Sequence, residues 1–275
     1  MRDRRRIGSA LLLFAAASAP VPAPGPVEVY ILAGQSNMSG RGALADLNPA
    51  ERRPDPAILL YGNDGQWRPA QEPIDTADGQ RDAVSADATA AVGPGLFFAR
   101  ALPQRRGRRI ALVPCAKGGS AMAQWTPGGG RDTLYGSCLA RVREAGGRVA
   151  GLLWYQGETD ALDANEAARW SMRMEALITA IRRDLGAPTL PVVMIGLADR
   201  PAHNAERFPA WDAVREQQAA VDLPRTALVP AAGLPLLADG LHLSTAAQRT
   251  LGARAAMAMV GLQRRSGRGH RRPST

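Results

Sequence analysis

Three residues in two short blocks have the types and spacing for nucleophilic chemistry: Ser36 in "GQSNM", and Asp239 and His242 in "DGLHLS". A serine hydroxyl is a weak nucleophile near neutral pH and needs a base whose second nitrogen is held by a carboxylate. Asp-x-x-His can supply both from one loop, with Asp239 turned back toward Nδ1 of His242 and Nε2 left facing Ser36. Each block also has an ordinary meaning, since a serine caps helices and an aspartate caps turns. Of the other histidines, His203 sits in the polar stretch "PAHNAERFPA" and His270 in a basic tail. Only His242 stands between a strand pattern and a helix pattern.

Residues so far apart in the chain must be brought together by the elements around them. Short apolar runs at Val27 to Ala33, Arg109 to Pro114, Val149 to Tyr155, Pro191 to Leu197 and Thr226 to Ala231 read as strands. Their hydrophobicity is continuous rather than alternating, as expected of a parallel sheet covered on both faces. Helix patterns lie between them, at about Leu96 to Leu102, Thr133 to Ala145, Asn165 to Leu185 and Pro209 to Val221. A last helix follows Ser244, its expected N-cap. This alternation predicts a three-layer α/β/α domain with five mostly parallel strands. The stretch from Arg41 to Val92, rich in Pro, Asp, Gly and Ala, is expected to be a long loop region.

In such sheets the ligand crevice lies beyond the carboxyl ends of the strands. Ser36 falls just past the first strand, at that rim. Two further loops are expected there: "PCAKGGSAMAQW" and "WYQGETD". Acyl transfer needs hydrogen-bond donors aimed at the developing oxyanion. Backbone N–H groups of Gly118 and Gly119 and the side-chain amide of Gln156 are the candidates, although glycines also serve simply as turn formers.

Taken in order, GQSNM, GGS followed by Trp125, WYQGETD and DGLHLS resemble the serial blocks of the sialate O-acetylesterase-like domain, which includes acetylxylan esterases of carbohydrate esterase family 6. The likeness spans about Val27 to Gly261. It implies a flavodoxin-like SGNH-hydrolase fold and hydrolysis of acetyl esters on sugars. By it Ser36 is the nucleophile, His242 the base and Asp239 its orienting acid, with Ser36, Gly119 and Gln156 forming the oxyanion hole. Gln35, Asn37, Gly118, Trp125 and Glu158 are expected to bind substrate or support the site from behind. Asp160 reads as a cap. Trp67, Trp125 and Trp211 are the candidate sugar-stacking platforms. Two other functions fit the same fold: a hydrolase of non-sugar esters, and a carbohydrate-binding domain without catalysis.

Composition bounds the remaining choices. With 275 residues and 45% hydrophobic letters, the chain can bury one full core. Its formal charge of +9 is concentrated at the ends: MRDRRR carries a net of +3 and residues 264–275 a net of +5, leaving about +1 for the body. A nearly neutral body argues against a nucleic-acid partner. The basic start, the apolar run from Ile7 to Ala19 and the following VPAPGPV read as a signal peptide over residues 1–25, followed by an esterase domain over 26–262 and a basic disordered tail over 263–275. The apolar run is too short to span a bilayer, so no membrane insertion is expected after cleavage. The protein is then periplasmic or secreted. In that setting Cys115 and Cys138 form either a disulfide or two separately buried small side chains, and spacing leaves both open. The histidines show no ligand spacing, so no metal or other cofactor is expected. An acetylated carbohydrate is the expected partner, and the oligomeric state is left open.

Overall fold

A computed structural model describes residues 25–104 and 107–268. All but the last residue of the expected signal peptide lies outside that range, as does the tail beyond Arg268. Seven strands form one sheet: β1 Val27–Gly34, β2 Asp55–Tyr61, β3 Trp67–Ala70, β4 Arg109–Pro114, β5 Arg148–Tyr155, β6 Val192–Gly196 and β7 Thr226–Pro230. Their order is β3-β2-β4-β1-β5-β6-β7, parallel throughout except for the antiparallel β2–β3 pair. The five expected strands are all present. The two additional ones lie inside the stretch expected to be loop. There β2 contributes only a short apolar run, Ile58 to Tyr61. In β3, Pro69 lacks a ladder donor and is tolerated because the strand is at the edge.

The helices are α1 Ser36–Ser39, α2 Gly95–Ala101, α3 Leu134–Ala145, α4 Ala164–Ala168, α5 Trp170–Asp184, α6 Trp211–Ala220 and α7 Thr245–Arg268. The single helix expected over 165–185 is broken at Arg169 into α4 and α5. Helix α7 continues past Leu262 to Arg268, so chain expected to begin the tail is partly helical. Ser244 caps α7 as expected, with its Oγ accepting from the Ala247 N–H and its carbonyl from that of Gln248. No helix among the described residues is long and apolar enough to cross a membrane.

Alternation along β1 sends its side chains to opposite layers. Tyr30 stacks edge-on against Phe98 of α2, and Gln263 of α7 donates to its hydroxyl. These helices meet closely: a Cβ on Gly252 of α7 would fall 2.6 Å from the Phe97 Cβ. Helices α3, α5 and α6 cover the other face, with buried Leu139, Val142, Met174, Ile178 and Val214 in the same core as the strands. Burying each such side chain contributes roughly 1.5–3 kcal/mol. The resulting frame leaves the carboxyl ends of β1, β4 and β5 side by side, and the loops that follow them form one rim.

Candidate active site

Strand β1 ends at Gly34, whose φ of 132° and contact with Tyr155 leave no room for a side chain: a Cβ would lie 2.0 Å from the Tyr155 carbonyl oxygen. That tight passage turns the chain directly into α1, with Ser36 at its first position and Gln35 preceding it. At the far end of the chain, the Asp239 carboxylate accepts from the backbone N–H groups of Leu241 and His242 at 2.9 and 3.0 Å. The same aspartate lies 2.7 Å from Nδ1 of His242 through its other oxygen, and Nε2 lies 2.9 Å from Ser36 Oγ. Burial alone would raise the Asp239 pKa. The backbone and imidazole donors of His242 outweigh it and hold the carboxyl below its ordinary range. An ionised acid, an imidazole and a hydroxyl thus stand in line, an arrangement able to draw a proton from the hydroxyl.

Ser36 and His242 open into a cleft of about 340 Å³. Gln35, Gly119 and Glu158 line its floor, and Leu162, Arg207, Phe208 and Leu241 its walls. Such a cleft at the junction of β1 and β5 sits where the chain's path across the sheet reverses direction, the usual place for a ligand in an open α/β sheet.

A family model described as "Carbohydrate esterase, sialic acid-specific acetylesterase" matches residues 26–261. The chain belongs to this family, abbreviated SASA. A probable carbohydrate esterase of Arabidopsis thaliana is 35% identical over 258 residues, covering 88% of this chain and 92% of that protein. The solved Arabidopsis structure superposes with a TM-score of 0.73, over 86% of this chain and 99% of that one. NanS, at 22% identity, has a TM-score of 0.66 over 89% of this chain and 100% of its own. A carbohydrate acetylesterase from Xanthomonas citri, at 25% identity, has a TM-score of 0.61, covering 86% of this chain and 56% of that one. Membership makes this chain a carbohydrate esterase of the SGNH type and accounts for the shared three-layer fold.

Several residues expected at the SASA site are placed otherwise. Gln156 is fully buried and turned away from the cleft. Its Oε1 accepts from the Trp170 indole at 2.8 Å, and its Nε2 donates to the Ser120 carbonyl at 3.0 Å and to Asp160. With both amide hydrogens committed, it offers none to an oxyanion. Asp160 is not a cap but a buried clamp, taking the Met122 N–H as well as the Gln156 amide, and burial raises its pKa. The Gly118 N–H is also committed, to Asp87 at 2.9 Å. The Gly119 N–H has no partner among the described residues, and this glycine, at φ 71°, faces the cleft.

None of the three tryptophans is a rim platform. Trp125 is 2% exposed, donating to Ser120 Oγ at 3.1 Å and packing edge-on against Trp154. Trp211 is buried with its indole on the Ala198 carbonyl. Trp67 packs against Tyr61 at the sheet edge. Phe208, Leu162 and Leu241 supply the apolar surface instead.

Asn37 and Glu158 do lie together behind the relay, joined at 2.7 Å. Burial raises the Glu158 pKa against the opposing Asn37 bond. The Gln35 Oε1 accepts weakly from the Gly157 and Thr159 N–H groups at 3.5 and 3.4 Å. Cys115 and Cys138 are joined in a disulfide between the end of β4 and α3. Among the described residues no group of acids, histidines or cysteines could hold a metal. Sequence reading missed Arg41, Asp87 and Thr89, which meet at the cleft's edge. Of these only Arg41, adjoining the GQSNMSG block, had a signal that could have marked it.

Proposed function

We propose that this chain is a serine O-acetylesterase that removes acetyl groups from carbohydrates through an acetyl-enzyme. The relay of Asp239, His242 and Ser36 at 2.7 and 2.9 Å carries this reading. His242 Nε2 takes the Ser36 proton as Oγ attacks the acetyl carbonyl, and Asp239 stabilises the imidazolium that forms. The oxyanion is met by the N–H groups of Ser36 and Gly119. The imidazolium returns the proton to the departing sugar oxygen, and the ester bond breaks. Water then attacks the acetyl-enzyme with His242 again as base, releasing acetate. Gln156 has no direct part in this scheme.

Family membership and the Arabidopsis and Xanthomonas relatives support a sugar as the alcohol. A cleft walled by Leu162, Phe208 and Leu241 offers an apolar face for a sugar ring, and the complete relay speaks against a binding domain without catalysis. Export to the periplasm or beyond is supported by the Cys115–Cys138 disulfide, because such bonds persist in oxidising compartments. Cell fractionation checks it.

Rapid-quench mass spectrometry during turnover should find one acetyl group on the Ser36 peptide and none in Ser36→Ala. A panel of acetylated xylan, acetylated sialic acid, acetylated glucosamine and an aryl acetate then decides the alcohol. Turnover of the aryl acetate with no sugar ester cleaved would replace the carbohydrate reading by the non-sugar one.

A further inference from the structure

The loop after β4 carries the Gly119 N–H, and a loop's aim depends on what grips it. Gly118 is gripped by a residue from a distant, featureless stretch, "SADATAAV". The Oδ2 of Asp87 accepts from the Gly118 N–H at 2.9 Å, from Ser39 Oγ at 2.8 Å and from Arg41 Nη2 at 2.8 Å. Its Oδ1 accepts from Arg41 Nη2 at 3.1 Å and from the Thr89 N–H and hydroxyl at 3.2 and 2.8 Å. One buried carboxylate therefore joins the loop after β1, which carries Ser36, to the loop after β4, which carries Gly119.

Nearby contacts tighten the same joint. Arg41 Nη1 donates to Ser39 Oγ and to the Gly40 carbonyl, and Lys117 Nζ donates to the Ala86 carbonyl at 2.6 Å. Gly118 has no room for a side chain, because a Cβ would lie 2.5 Å from Arg41 Nη2 and 2.6 Å from Asp87 Oδ2. Burial pushes the Asp87 pKa up, but the Arg41 guanidinium and the Ser39 and Thr89 hydroxyls outweigh it and keep the acid ionised. Only an acceptor-only group satisfies every donor here. An amide in its place would turn an N–H₂ toward at least one of them.

We propose that Asp87, clamped by Arg41, is a positioning residue that aims the Gly119 N–H at the oxyanion formed on Ser36. The proposal rests on the acyl-transfer reading of Ser36. Asp87 makes its contribution through Gly118, in the transition state and not in substrate binding. Loss of one oxyanion donor lowers kcat by about 10²–10³ elsewhere, and misaiming one is expected to cost on the order of 10- to 100-fold. An interaction made only in the transition state lowers kcat and kcat/KM together and leaves KM unchanged.

The test compares Asp87→Asn with the wild type in kcat, KM and inhibition by phenylboronic acid. The Ser36 oxygen adds to boron as its proton passes to His242, giving a tetrahedral adduct with a hydroxyl at the oxyanion position. Asp87→Asn should lose 10- to 100-fold in kcat and weaken boronate inhibition by a similar factor with KM unchanged. Gly118→Ala, which displaces the clamp while keeping its charges, should show the same pattern and stands in if Asp87→Asn fails to fold. Asp82→Asn serves as the structural control: this buried acid binds Arg131 and Ser137 but lines no part of the cleft. It should lower thermal stability without changing boronate affinity. Wild-type kcat and boronate affinity in a folded Asp87→Asn or Gly118→Ala would overturn the proposal. A wild type that is neither acetylated at Ser36 nor inhibited by the boronate would instead overturn the acyl-transfer reading beneath it.

Discussion

Asn37 Nδ2 donates to Glu158 Oε1 across 2.7 Å, and through this bond the acid of the QGETD block governs the loop of the DGLHLS block. The same amide reaches the Leu241 carbonyl at 3.3 Å, and Asn37 Oδ1 accepts the Leu243 N–H at 2.9 Å. His242 is thus held on both sides by the neighbour of Ser36. Glu158 fixes which way that neighbour points.

Two carboxylates near one histidine can be told apart by replacing each with its amide. Asp239 faces Nδ1 directly, so Asp239→Asn should disturb the imidazole tautomer, a change that costs about 10⁴ in kcat in the serine-protease triad. Glu158→Gln keeps an oxygen for Asn37 and should lose far less activity, with most of its defect in thermal stability. Aryl acetate kinetics and melting curves on both variants check this. A nearly inactive Glu158→Gln beside a nearly normal Asp239→Asn would redraw the relay.

Trp125 was the expected sugar platform, and its burial gives it a different job. Trp125→Phe should keep KM for an acetylated sugar close to wild type while losing about 1–3 kcal/mol of stability with the indole bond to Ser120. Phe208→Ala should do the opposite to KM and raise it, since Phe208 lines the cleft. Steady-state kinetics beside urea unfolding separates the two.

The difference between what sequence reveals and what it hides follows from distance. Ser36, Asp239 and His242 were legible because each signal is local: an apolar strand running into small polar residues, and an acid three residues before a histidine. Gln156 was placed in the right loop but given the wrong direction, because Trp170 and Asp160 decide where its amide points. Asp87 carries no local signature, and its partners Ser39, Arg41 and Gly118 come together only when β1 and β4 pair. Strands β2 and β3 were lost for a related reason. Short edge elements containing Pro56 and Pro69 draw their order from pairing with β4 and with each other.

The disulfide ties the root of the Gly118–Gly119 loop to α3 across a separation of 23 residues. Closing a loop of that size restricts the unfolded chain by about 3 kcal/mol. Replacing both cysteines by serine should lower unfolding free energy by roughly that amount. Alkylation of unreduced wild-type protein under denaturing conditions should label neither thiol, and labelling of both would mean the bridge is absent.

Glu72 gives the fold a pH dependence of its own. It is 8% exposed, its Oε2 accepts the Ile74 N–H at 3.0 Å, and its Oε1 has no partner. Burial pushes its pKa from 4.5 up to about 8, with Asp75 adding to the rise and backbone donors and Arg100 opposing it. Across that interval the folded chain keeps a proton that the unfolded chain releases, so stability falls as pH rises. The contribution is whole below about 4.5 and gone above about 8. Glu72→Gln reproduces the neutral shape without a titrating proton. It should match wild type near pH 4 and be more stable by on the order of a few kcal/mol near pH 9. Asp75 titrates at about 6 within the same window, but it does so in both proteins and drops out of their difference. Denaturant midpoints at the two pH values measure that difference, and an equal gap at both would show that Glu72 is ionised throughout.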